Sequence, residues 1–299
     1  MSLRELEYHV CDVFTERPLE GNQLAVFTDA GEVTDGEMQA IARETNLSET
    51  TFVIRRDAEI ERDRGLRVRI FTTREELPFA GHPTLGTAAT IRRVLGEYSG
   101  AEIIILDLNA GRVPVTFPAE RNGGKGSYGV MTQPEPVFGS THEIPIVALL
   151  LGLREEDCAA GPVPQTVSTG LPYCVVVLRS IEALERLRVD LAASERYFQS
   201  SDAKFFYAVA PEGSGVWRAR MQFYGGEDPA TGSAAGCAIA YMVRHGIAAA
   251  REEIHIRQGV EIQRPSDLYA SANSISGKIG EVRLGGSTVP VAKGRLFLE

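Results

Sequence analysis

The chain has 299 residues, enough for one large domain or two of ordinary size. Apolar residues make up 43% and charged residues 24%, the composition of a globular chain with real cores. A net charge of −9 speaks against nucleic acid and anionic membrane surfaces as partners but leaves room for a small anionic substrate at a locally favourable site.

The elements follow in chain order. MSLRELEYHV carries acidic residues and no apolar run, so no secretory signal is expected there. YHVCDVF, LAVFTD, TFVIR, LRVRIF, EIIILDL and RVPVTF read as strands in the first half. Between them TDGEMQAIARET reads as a helix, because Thr34 and Glu37 form a capping box. The polar, glycine-rich Pro118–Ser127 is the expected linker, and its GGKGS lacks the spacing of a phosphate-binding loop. Further on, YGVMT, YCVVVLR, FFYAVA, WRARMQF, EIHIRQGVEI, DLYASA and GEVRLGG read as strands, with PIVALLLGL and IEALERL as helices. The longest apolar stretch, Ile144–Leu153, contains a proline and is too short to span a bilayer. Cys11, Cys158, Cys174 and Cys237 are scattered with no CxxC, and no HxxxH occurs, so no metal site is expected. Buried thiols in a reducing cytoplasm fit better.

Two stretches share one grammar. PFAGHPTLGTAATIRRVLG (Pro78–Gly96) and DPATGSAAGCAIAYMVRHG (Asp228–Gly246) are built of small residues, uncharged until their last turn apart from Asp228 at the head of the second. Gly86 and Gly236 are 150 residues apart, as are Gly96 and Gly246. A weaker echo, GNQLAVF from Gly21 and GLPYCVVVL from Gly170, has an offset of 149. The repeat predicts two domains, 1–118 and 119–299, each of strands around one helix buried on all sides, with the last strand free to cross back.

The starts of these helices ask for more than packing. A helix N-terminus offers free N–H groups and partial positive charge, so it binds carboxylate without lysine or arginine. Gly81 and Gly232 permit close approach, Pro83 suits a first helical position, and Arg92, Arg93, Arg244 and His245 collect at the far ends. The pattern predicts an anion-binding cleft served by both starts. Taken singly, Glu49 reads as a solvated loop carboxylate, His82 as a helix-start hydrogen-bonder, Asp228 as a loop or cap residue and Ser233 as a cap.

NLSETTFV, RIFTTREELPFAGHPTLGTAA, EDPATGSAAG and the downstream QGVEIQRPS together resemble the PhzF-like, phenazine-biosynthesis family of isomerases, in order and over essentially the whole chain. The resemblance implies an α+β fold of the diaminopimelate-epimerase type: two similar domains, each a curved, barrel-like mixed sheet around a central helix. It implies Glu49 as the acid/base that moves a proton, with His82 and Asp228 beside the substrate. Ser233 and the amides near Gly81 and Gly232 would hold the substrate's carboxylate. It further implies a homodimer, no cofactor and no metal. These residue types suit the migration of a hydrogen along an unsaturated or cyclic carboxylic acid, since one desolvated carboxylate can remove a proton and return it elsewhere.

Two rival readings share the fold. A two-thiol racemase or epimerase needs a cysteine at each helix start, where this chain has Ala80 and Ala230. The other is a binding protein that has kept the cleft without turnover, against which Glu49, His82 and Asp228 together weigh. The connection QFYGGE between Met221 and Asp228 is a few residues shorter than in phenazine-pathway members, which leaves the substrate's identity open.

Overall fold

Residues 3–121, 126–224 and 226–299 are described by a computed structural model in which the chain divides into two units, Met1–Thr132 with Gly285–Glu299, and Gln133–Leu284. The expected linker falls partly on residues 122–125 and the short connection before Asp228 on Gly225, which lie outside the described residues. In order, the first unit holds β1 (Arg4–Val13), β2 (Asn22–Phe27), α1 (Asp35–Thr45), β3 (Glu49–Ile54), α2 (Ala58–Arg64), β4 (Leu66–Phe71), β5 (Glu76–Leu77), α3 (Gly81–Val94), β6 (Ile103–Leu108), β7 (Gly111–Thr116) and β8 (Ser127–Thr132). The second holds β9 (Val137–Thr141), α4 (Ile144–Leu150), β10 (Gln165–Ser168), β11 (Pro172–Val177), α5 (Ile181–Arg186), α6 (Leu191–Phe198), β12 (Phe205–Gly213), β13 (Val216–Arg220), β14 (Gln222–Phe223), β15 (Gly226–Glu227), α7 (Gly232–Arg244), β16 (Ile254–Gln258) and β17 (Ser266–Ile275). The long β18 (Lys278–Leu298) begins in the second unit and ends in the first.

In the first unit β1-β2-β3-β4-β6-β7-β8-β18 closes into a mixed barrel through the β1–β18 pairing, which runs antiparallel from Arg4↔Leu298 to Val13↔Thr288. Helix α3 packs against β1, β2, β3, β6, β7 and β8, so it is ringed by strands and every residue from Gly81 to Ile91 is buried. Only small or apolar side chains fit such a position, which explains its composition. Gly86 shows the constraint directly: a Cβ there would lie 2.6 Å from Leu24 Cδ2 and 2.7 Å from Val13 Cγ2.

The second unit repeats the pairing pattern. Antiparallel, parallel, antiparallel, parallel, antiparallel is the order from β1/β2 to β6/β7, and it recurs from β10/β11 to β16/β17. Here the sheet stays open, ending at β9, yet α7 touches both β10 and β17, so the sheet curls around the helix. All residues from Gly232 to Met242 are buried. The two-domain α+β architecture of sheets wound around central helices is thus present in both halves.

Outside the windings lie the amphipathic helices. Helix α1 keeps its Thr34/Glu37 capping box and packs on a ladder of rings from Phe27, Phe52 and Phe71. Helices α4, α5 and α6 cover β11 and β12. EIHIRQGVEI is not one strand: β16 stops at Gln258, and left-handed Gly259 and Gln263 bracket a single 3-10 turn. WRARMQF likewise breaks at Met221. Among the described residues no helix is long and apolar enough to cross a membrane.

Candidate active site

The start of α3 is capped by no side chain, because its N-cap residue is Ala80, in extended conformation. Polar side chains gather there instead. His82 is the second residue of α3, Asn22 the first of β2 and Glu49 the first of β3. The parallel register sets Glu49 opposite Leu24. The His82 ring is buried, and its Nδ1 lies 3.1 Å from Asn22 Nδ2. Which of the two donates depends on the ring's tautomer. Nε2 has no aligned hydrogen-bond partner, and Glu49 Oε2 lies 3.4 Å away. Burial holds His82 down to about 3, although a hydrogen bond with the Gln23 backbone pulls the other way, so the imidazole is neutral at physiological pH. The Glu49 side chain is only 15% exposed, which corrects the solvated-loop reading of that residue alone.

Pro83 is the third residue of α3, not the first. The third N–H of a helix has no intrahelical acceptor either, so the missing donor costs nothing there.

The start of α7 is built differently. Buried Arg220 grips both oxygens of Glu227, at 2.8 and 2.6 Å, which ties the β14–β15 hairpin leading into Asp228. Asp228 is buried, and its Oδ2 accepts from the Thr231 hydroxyl at 2.6 Å. Thr231 is the N-cap residue, and its backbone N–H donates to Gln258 Oε1 at 3.1 Å. Gly232 opens the helix, and its carbonyl accepts from Gln133 Nε2 at 2.9 Å. Ser233 is the second helical residue rather than a cap, and its hydroxyl is paired with Tyr173 at 2.9 Å. Gly236 is required by Gln133, since a Cβ would fall 1.9 Å from Oε1.

Glu49, Gly81 and His82 therefore come together in the first unit, and Asp228, Gly232 and Ser233 in the second. Sequence reasoning assigned no role to Asn22, which orients His82, or to Gln133, Tyr173, Thr231 and Gln258, which order the second site. Asn22 lies inside the GNQLAVF echo and Gln258 opens QGVEIQRPS, so both stood in stretches already marked. What neither stretch disclosed was which distant residue each would touch.

A sequence profile of the phenazine biosynthesis-like proteins matches residues 11–294. The chain belongs to this family. A curated member from Pseudomonas aeruginosa, named trans-2,3-dihydro-3-hydroxyanthranilate isomerase, is 37% identical over 295 residues, covering 97% of this chain and 99% of that protein. The solved structure of a "predicted epimerase" from the same species is 35% identical, with a TM-score of 0.84 over 98% of this chain and 100% of the other. A probable proline racemase from Agrobacterium radiobacter shares the fold at 10% identity, with a TM-score of 0.67 over 98% of this chain and 93% of its own. As a family member the chain thus carries the family's fold from end to end.

Proposed function

We propose that this chain, an isomerase of the phenazine biosynthesis-like family, moves a proton between carbons of a small unsaturated or cyclic carboxylic acid by acid/base catalysis. One observation carries this: a nearly buried carboxylate, Glu49, facing the Nε2 of a buried, neutral His82 at 3.4 Å. In this mechanism the Glu49 carboxylate takes a proton from one carbon, is transiently a carboxylic acid, and returns the proton to another. Neutral His82 turns its Nε2 to a substrate heteroatom without adding charge, and Asp228 accepts a substrate hydrogen bond. In the first unit the amide at Gly81, and in the second the amide at Gly232 and the Ser233 hydroxyl, are each suited to stabilise charge on an acid group. No cofactor takes part, and the enzyme acts as a cytoplasmic homodimer, which sedimentation checks.

The two-thiol alternative lacks its thiols. Ala80 caps α3 and Ala230 precedes α7, while burial pushes Cys11 and Cys237 up to about 12, far from a reactive thiolate.

The test is deuterium uptake from heavy water, starting with trans-2,3-dihydro-3-hydroxyanthranilate because a relative is named for it, then a panel of unsaturated and cyclic acids. Glu49→Gln should lower exchange by about a hundred- to ten-thousand-fold while ligand binding stays within about tenfold. Undiminished exchange in the variant removes Glu49 as the base. Inverted stereochemistry without migration of a double bond points to an epimerase, and binding without exchange to a binding protein.

A further inference from the structure

QGVEIQRPS has no part in the chemistry above, yet its first residue makes four side-chain hydrogen bonds beside the start of α7. Gln258 is fully buried and uses its whole hydrogen-bonding capacity. Its Nε2 donates to the Asp228 carbonyl at 2.8 Å and to Thr231 Oγ1 at 2.9 Å. Its Oε1 accepts from the Thr231 amide at 3.1 Å and from the Tyr207 hydroxyl at 3.1 Å.

The direction of these bonds matters. A threonine hydroxyl has one proton. Because Thr231 Oγ1 already accepts from Gln258, that proton is free to go to Asp228 Oδ2, 2.6 Å away. The amide thus sets the polarity of a chain that ends on the carboxylate. The backbone reinforces it: Gly259 has φ +74, and a Cβ there would lie 2.6 Å from Pro229 O and 2.3 Å from Arg264 O. Only glycine lets the 3-10 turn lie against the Asp228–Thr231 segment.

We propose that Gln258 and Thr231 are positioning residues of the isomerase: Gln258 aims the Thr231 hydroxyl at Asp228, presenting that carboxylate to the substrate as an ionised acceptor in one orientation. This rests on the reading of Asp228 as a site residue. A purely structural clamp would hold the turn just as well with the hydroxyl pointing elsewhere, so the polarity of the chain is what must be measured.

The experiment uses the full chain with 13C-labelled aspartate carboxyls, following each carbon against pH by NMR. Asp228 is assigned by the signal lost in Asp228→Asn. Thr231→Val keeps the shape and removes the hydroxyl, and the Asp228 midpoint should move up by about one pH unit. Thr231→Ser restores the donor, so its midpoint should stay within about 0.3 units of the parent. Gln258→Glu keeps the volume but turns the Thr231 proton toward the new carboxylate, and should reproduce the upward shift even if the valine variant folds poorly. A midpoint unmoved in both Thr231→Val and Gln258→Glu, or a serine variant that titrates like valine, overturns the positioning role. Deuterium uptake by Asp228→Asn is measured alongside. Full exchange there overturns the reading of Asp228 as a site residue, while the midpoints still decide the hydrogen-bond chain.

Discussion

At the start of α3 the N-cap is an alanine, and a carboxylate, an imidazole and a carboxamide converge from three elements with a ring nitrogen left without an aligned partner. At the start of α7, 151 residues on, Thr231, Gln258, Asp228, Gln133, Ser233 and Tyr173 all take part in hydrogen bonds of 2.6 to 3.1 Å. The same backbone device has been furnished in two ways. Buried polar groups are stable when satisfied and reactive when not. The start of α3 sets a carboxylate beside an imidazole, while the start of α7 ties its own carboxylate, Asp228, to a hydroxyl that a buried amide holds.

The division is broken most decisively by kinetics. If chemistry resides at α3, Glu49→Gln should show the largest loss of any single change, the hundred-fold or more given above, and no α7 substitution should match it in kcat with KM unchanged. Equal losses in kcat from both ends would mean that the roles are shared.

Next in size come the paired glycines. Gly86→Ala drives a methyl into Leu24 and Val13, and Gly236→Ala drives one into the Gln133 amide. Each should cost about 1–3 kcal/mol in urea unfolding. Gly236→Ala should also disturb the Gln133 bond to the Gly232 carbonyl, and so raise KM, whereas Gly86→Ala should act on stability alone.

A third test uses pH. The folded state keeps His82 neutral down to about 3, whereas an unfolded chain protonates histidine near its ordinary value of about 6.5. Between those limits the unfolded state binds the extra proton, so stability falls as pH drops and is fully present above about 6.5, with a slope near 1.4 kcal/mol per pH unit. His82→Gln should flatten that slope in unfolding curves from pH 7 to 4. An unchanged slope means that His82 is charged in the folded protein.

The smallest effect is expected at Ser233, which shares its hydroxyl with Tyr173. Ser233→Ala should raise KM by a few fold, about one hydrogen bond's worth, and leave kcat nearly unchanged. A large fall in kcat would move part of the chemistry to α7.

The strands were legible because alternation has a period of two, and the central helices because nothing but a fully enclosed position tolerates so many small, uncharged residues in a row. Their shared grammar disclosed the repeat. Short edge elements carried weaker signals: β9, β10, α2 and α6 escaped because four to eight residues give periodicity little to work on. GVEI, the end of EIHIRQGVEI, was misread as strand continuing β16, since a strand-like composition hides a turn that only the left-handed Gly259 and Gln263 make.

The sequence by itself determined two sets of strands, each around a buried helix, and the small-residue starts that suit an anion. Motif likeness then pointed to Glu49, His82 and Asp228. Tertiary structure decided what those residues touch: that Asn22 meets the ring of His82, that Ser233 faces Tyr173, and that Gln258 reaches back to Thr231 across 27 residues of chain. Local signals report what a segment does along its own axis. A hydrogen bond between β2 and α3, or between β16 and the start of α7, depends on sheet register and on the helix rotation that packing selects, and neither is written in either segment alone.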